Sequence, residues 1–210
     1  MKLTCNTKIE LKKIIVGNQE VQLAMPNSNH FLQSHIQHYT HHAYWAKVWH
    51  SAVGLSLFLD NNKPLITCKN ILELAAGLGL PSIVASTYAT SVHCTDVCND
   101  AITYITKSIY QNNKKNITCA TLNWNDEIDT KNYDVVLLSD VNYALPDLEV
   151  LQVLIMKLLA SNIMVIIATP QRQIAANFLT SLLPYCTQQY NSMISYNNTV
   201  HEIFIYVLHQ

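Results

Sequence analysis

Gly77 and Gly79 lie two positions apart in Glu73-Leu74-Ala75-Ala76-Gly77-Leu78-Gly79-Leu80-Pro81, and they are half of the chain's four glycines. An apolar run precedes them and a helix-like run follows. A strand that turns sharply into a helix through glycines brings bare backbone amides to the carboxyl edge of a sheet, where nucleotide-like ligands bind. Glu73, still within the strand, is expected to aim an acceptor into that pocket. About twenty residues further on, Asp96 closes the next strand-like run, where a carboxylate can accept hydrogen bonds from both ribose hydroxyls of an adenosine. A dinucleotide site uses the same devices. Here, however, Pro81 and Ser82 follow the second glycine and no basic residue near the turn could meet a phosphate. The pattern therefore favours an adenosyl ligand with an amino-acid tail, S-adenosylmethionine.

These residues need a scaffold, and the chain from residue 70 supplies one. Strand-like runs at Asn70–Leu74, Ser91–Thr95, Asn116–Leu122, Tyr133–Ser139 and Ile163–Ala168 alternate with helix-like runs at Leu80–Ala89, Asn99–Asn112, Asp147–Ala160 and Gln171–Leu182. Such alternation predicts a Rossmann-like α/β fold with a mostly parallel sheet and helices on both faces. Tyr185–Tyr196 and Val200–Leu208 flank Asn197-Asn198 and predict a C-terminal antiparallel hairpin. Upstream, Ile9–Val16 and Glu20–Met25 flank Gly17-Asn18 as a second hairpin. Helices are expected at Ser28–Tyr39 and Ala43–Asp60. The expected organisation is one domain over 1–210, with a hairpin and helix cap in 1–45 and the cofactor-binding core in 46–210.

Composition narrows the partners. Half of the 210 residues are apolar, 13% are charged and the net charge is −1, which gives no general attraction to nucleic acid or to an acidic membrane. No run approaches the length of a membrane span, and the N-terminus lacks the apolar core of a signal peptide. The six cysteines show no zinc-like or CxxC spacing and read as reduced core residues. A cytoplasmic protein is expected. His30, His35, His38, His41 and His42 crowd one stretch, but their spacing fits no metal-ligand pattern, so no metal is expected.

Several segments together resemble the class I, seven-strand S-adenosylmethionine-dependent methyltransferases, and more narrowly methyltransferase family 16, especially its electron transfer flavoprotein β-subunit lysine methyltransferase branch and bacterial relatives. They are Tyr44-Trp45-Ala46-Lys47-Val48-Trp49, the Glu73–Ser82 turn, Thr95-Asp96, Leu122-Asn123-Trp124, Ser139-Asp140-Val141-Asn142-Tyr143 and Thr169-Pro170-Gln171-Arg172. The resemblance spans roughly residues 40–208. It implies methyl transfer to a lysine of a protein, with a small-molecule acceptor or a non-catalytic cofactor-binding protein as alternatives. By the same resemblance Trp49, Glu73, Ala75, Gly77, Gly79, Asp96, Val97, Asn123, Trp124 and Ser139 would contact the cofactor. Asp140 would orient the acceptor amine and Tyr143 would form an aromatic wall. Arg172 is expected to be an anchor, and Trp45, four residues before Trp49 on a shared helix, a core residue. Three departures stand out: Ala75 where glycine is usual, so that its backbone should avoid positive φ; Asn123 for an acidic residue; and Thr169 for an aspartate.

Overall fold

The computed structural model describes residues 9–27 and 44–210. The helix expected at Ser28–Tyr39 and the five histidines of that stretch fall outside the described residues. Strands β1 (Ile9–Val16) and β2 (Gln19–Pro26) form the expected hairpin. The other strands are β3 (Asn70–Leu74), β4 (Ser91–Asp96), β5 (Ile117–Thr121), β6 (Val135–Ser139), β7 (Met164–Pro170), β8 (Cys186–Tyr196) and β9 (Thr199–Leu208). They make one seven-stranded sheet in the order β5-β4-β3-β6-β7-β9-β8. The first five of that order run parallel, while β9 is antiparallel to both β7 and β8. Asn197 and Asn198, with φ of 49° and 61°, make the tight turn of the β8–β9 hairpin, since asparagine tolerates the left-handed conformation that a two-residue hairpin turn requires.

Among the described residues the α-helices are α1 (His50–Asn61), α2 (Leu80–Ala85), α3 (Asn99–Gln111), α4 (Leu145–Ala160) and α5 (Ala176–Leu182). The period-two alternation of the central strands divides the core in two. Ile71, Val135, Leu137 and Ile166 face a cluster with Leu55 and Leu59 of α1, Ile83 of α2 and Ile105 of α3. Leu72, Leu74, Val136, Leu138, Val165 and Ile167 face α4 and α5 through Leu151, Ile155, Leu158 and Phe178. Burial of a leucine- or isoleucine-sized side chain is worth roughly 1.5–3 kcal/mol, so the helices are held to the sheet mainly by these two layers.

The β1–β2 hairpin is clasped to α3 by side chains that imitate a strand. The Asn112 amide accepts from the Gln22 backbone N–H at 2.9 Å and donates to the Gln22 carbonyl at 2.7 Å, and Ser108 Oγ accepts the Ala24 amide at 2.9 Å. This edge of the hairpin therefore has partners without another strand.

One expectation fails at the segment before α1. Tyr44–Ala46 is a short 3₁₀ turn and the helix begins only at His50, so Trp45 and Trp49 do not share a helix. Trp45 is buried against Tyr104 with ring centroids 5.3 Å apart, whereas Trp49 occupies the cap position of α1 in extended backbone. Residues 44–49 thus form a strap across the carboxyl ends of the strands.

Candidate active site

In the order β5-β4-β3-β6, chain progression reverses beside β3, and loops following β3, β4, β5 and β6 open a crevice at that switch point. A cavity of about 620 Å³ lies there, within the usual range for small-molecule sites. Ala75, Gly77 and Gly79 line it from the glycine turn, Asp96 and Val97 from the end of β4, Asn123 and Trp124 from beyond β5, and Ser139, Asp140 and Tyr143 from beyond β6. Trp49 and Lys47 contribute from the strap. Of the twelve residues anticipated at the site, eleven line this one cavity.

Glu73 is the exception. It is fully buried beneath the turn, on the face of β3 that meets α2, because its neighbours Leu72 and Leu74 take the opposite face. One carboxylate oxygen accepts from the Ser82 amide at 2.9 Å and from the Ser82 hydroxyl at 2.5 Å, while the other has no partner. Its acceptor is directed at the first turn of α2, where unpaired helical amides need one, and not at the cavity. Burial pushes its pKa up to about 8 against the pull of the two Ser82 hydrogen bonds.

The turn differs from expectation in two further respects. Ala75 has φ of 51°, a left-handed conformation that costs an L-residue roughly 1–2 kcal/mol. The glycine amides are not bare: Gly77 N–H donates to Asp96 Oδ2 at 2.9 Å and Gly79 N–H to the Ala76 carbonyl at 2.8 Å. The glycines instead permit positive φ and close approach. A Cβ on Gly77 would stand 3.4 Å from the Trp45 carbonyl oxygen, so the strap lies directly on the turn.

Asp96 carries its carboxylate at the rim of the cavity, with Oδ1 accepting the Cys98 amide at 2.9 Å. Burial raises its pKa, and the backbone donors of Cys98, Gly77 and Val97 counter that rise. Val97 is 62% exposed beside it. Asn123 turns its side-chain oxygen to the Asn125 amide at 3.0 Å and shapes the loop, while Trp124 packs partly against the α4 side of the core.

Across the cavity, Asp140 has φ of 60°, its amide donating to the Ala168 carbonyl at 2.9 Å. The carboxylate is gripped from two sides: Arg172 Nη2 pairs with Oδ1 and the Ser51 hydroxyl donates to Oδ2 at 3.1 Å. Arg172 Nη1 also donates to Asn142 Oδ1 at 3.0 Å, and Thr169 Oγ1 donates to the same oxygen at 2.6 Å. Arg172 is thus the anchor of this corner, and Thr169 keeps a polar link where an aspartate was usual. Tyr143 packs against Tyr44 with ring centroids 5.3 Å apart and planes tilted by 48°, and Tyr44 against Trp49 at 5.9 Å and 45°, giving a continuous aromatic wall. Burial raises the Tyr143 phenol pKa, which keeps it a neutral donor and wall.

Sequence reasoning did not single out Tyr44, Lys47 or Ser51. The signal was present in the Tyr44–Trp49 run, but reading it as a helix hid which side chains would face the cavity. A second cavity, about 500 Å³, opens toward the β8–β9 turn and shares Lys47, Val48, Trp49, Asp140 and Arg172 with the first. Among the described residues no His, Cys, Asp and Glu cluster could hold a metal, and no helix is long and apolar enough to cross a membrane.

A family model described as "Lysine methyltransferase" matches residues 28–183. Protein N-lysine methyltransferase METTL21A of Danio rerio is 32% identical over 105 residues, covering 47% of this chain and 48% of that protein. Protein-lysine methyltransferase METTL21E of Bos taurus is 35% identical over 122 residues, covering 52% of this chain and 42% of that protein. The matches thus span about half the length of these relatives or less. In three dimensions the chain superposes on the Pyrococcus abyssi tRNA (uracil-54, C5)-methyltransferase solved with S-adenosyl-L-homocysteine, with TM-score 0.63, 13% identity and coverage of 95% and 44%. It also superposes on the Synechocystis magnesium protoporphyrin IX methyltransferase with bound S-adenosylmethionine, with TM-score 0.56, 15% identity and coverage of 75% and 78%. At such identities these two likenesses speak for the fold.

Proposed function

The chain belongs to the lysine methyltransferase family, and from that premise we propose that it transfers the methyl group of S-adenosylmethionine to a lysine side chain of a protein. The observation that carries this reading is the joining, in one cavity, of the Asp96-braced glycine turn with the Asp140 and Tyr143 corner. The cofactor fits the first half. Asp96 presents a carboxylate suited to ribose hydroxyls, the positive-φ turn admits close approach of an amino-acid tail, and Trp124 and Val97 offer an apolar edge for adenine. When bound, the cofactor supplies an electrophilic methyl on a sulfonium centre.

The protein's own contribution is orientation and exclusion of water. Tyr44, Trp49 and Tyr143 wall the acceptor end, and desolvation of an incoming amine there favours its nucleophilic neutral form. Asp140, fixed by Arg172 and Ser51, offers its carboxylate edge to align the amine. Correct alignment alone can be worth roughly 7–11 kcal/mol of barrier, so no strong base is needed. Residues 46–210 serve as the binding core, and the segment before them shapes what reaches the acceptor end. The unpaired described cysteines suit a reducing compartment such as the cytoplasm.

Calorimetric titration with S-adenosylhomocysteine tests the cofactor assignment. Binding by the native chain that is lost in Asp96→Ala is the expected result, and absence of binding by the native chain overturns it. Labelled cofactor with cell-extract proteins then tests the acceptor. Label recovered as methyl-lysine from a protein band is expected, and label confined to small molecules overturns the protein-lysine reading.

A further inference from the structure

Among the described residues Lys47 is the one lysine lining the larger cavity, and it stands where that cavity meets the second. Its backbone is fixed on both sides. Trp45 is buried against Tyr104 with its carbonyl on Gly77, and the Trp49 indole N–H donates to the Tyr44 carbonyl at 2.8 Å. The Lys47 ammonium lies 3.5 Å from the Trp49 ring centroid, a cation–π position. It therefore rests on the aromatic wall assigned above to an incoming lysine. Desolvation lowers the Lys47 pKa and the charge of Asp140 only partly offsets this, so the neutral amine is easier to reach than in a free lysine.

We propose that Lys47 is itself a methyl acceptor, so that the chain modifies its own strap in cis; this rests on the methyltransferase reading. The Lys47 Nζ lone pair forms the new N–C bond as the methyl–sulfur bond of the sulfonium cofactor breaks. That bonding pair stays on sulfur as a thioether; the proton that Nζ gives up beforehand, to expose its lone pair, passes to water. The product ammonium keeps its charge and gains apolar surface against Trp49, which strengthens the contact that holds the side chain in the cavity.

The test uses the full chain incubated with S-adenosylmethionine and then digested for peptide mass mapping. A one-methyl mass gain on the Lys47 peptide is expected, absent in Lys47→Arg, with a rate per molecule that does not change on serial dilution. A readout independent of turnover accompanies it: S-adenosylhomocysteine should slow acylation of Lys47 by an amine-reactive ester severalfold while leaving Lys63, in the 3₁₀ turn after α1, unchanged. If S-adenosylhomocysteine binds and extract proteins are methylated while Lys47 gains no methyl, or if its reactivity ignores the ligand, the inference is overturned and the proposed function stands. If no adenosyl ligand binds, both fall together.

Discussion

Glu73 supports Ser82 from below the glycine turn, its single engaged oxygen taking both the backbone amide and the hydroxyl of that serine. The strand that forms the floor of the site and the helix that leaves it are thereby joined by a buried carboxyl whose second oxygen has no partner. In the neutral form this group costs little to bury; ionised, it sits in an apolar layer with too few donors.

A pH dependence of stability follows. Burial raises the folded pKa of Glu73 from 4.5 to about 8. The folded state therefore holds its proton more tightly than the unfolded chain, and the contribution is complete below pH 4.5 and lost as pH rises through about 8. Asp96, whose pKa is also raised by burial, acts in the same direction. Thermal unfolding across this window should show the native melting temperature falling relative to that of Glu73→Gln, which cannot ionise. A constant difference between the two would refute the assignment.

Ala75 stores strain that glycine would release. Its φ of 51° costs about 1–2 kcal/mol for an L-residue, while glycine loses roughly 0.5–1 kcal/mol more backbone entropy on folding. Ala75→Gly should therefore stabilise by up to about 1 kcal/mol, or about 2–4 °C in melting temperature for a chain of this size. Calorimetric melting decides it, and a lower melting temperature would mean that the Ala75 methyl contributes more by packing than its backbone loses.

Asp140→Asn separates acceptor alignment from cofactor binding. Asparagine tolerates the φ of 60° and keeps an acceptor for Ser51, but it removes the charge that pairs with Arg172. Affinity for S-adenosylhomocysteine should stay within a few-fold of native while turnover falls on the order of 10²–10³-fold, the scale for losing one preorganised polar group at a reacting centre. Native-like turnover would remove Asp140 from the reaction.

Much of this was legible in the sequence because it is local. The β3–turn–α2 unit, Asp96 at a strand end and the Asn197-Asn198 turn each declare themselves through residues a few positions apart. The features that escaped depend on tertiary contact. The apolar and aromatic run at Tyr44–Trp49 has helical spacing, yet Trp45 is drawn into the core beside Tyr104, so the chain runs as a strap before α1 starts. Ala75 is held at positive φ by a turn whose shape is set by Asp96 and Thr95, with the Ala76 amide donating to the Thr95 carbonyl at 2.9 Å. Glu73 faces away from the cavity because strand alternation, and not its place in the motif, decides its side.

Asn112 and Ser108 hold the end of β2 against α3, and Trp45 holds the start of the strap against the glycine turn. β2 and the strap are therefore secured by separate parts of the core, one by side chains of α3 and the other by the glycine turn. Loss of the Asn112 clasp would free the hairpin edge while leaving the strap seated on the turn.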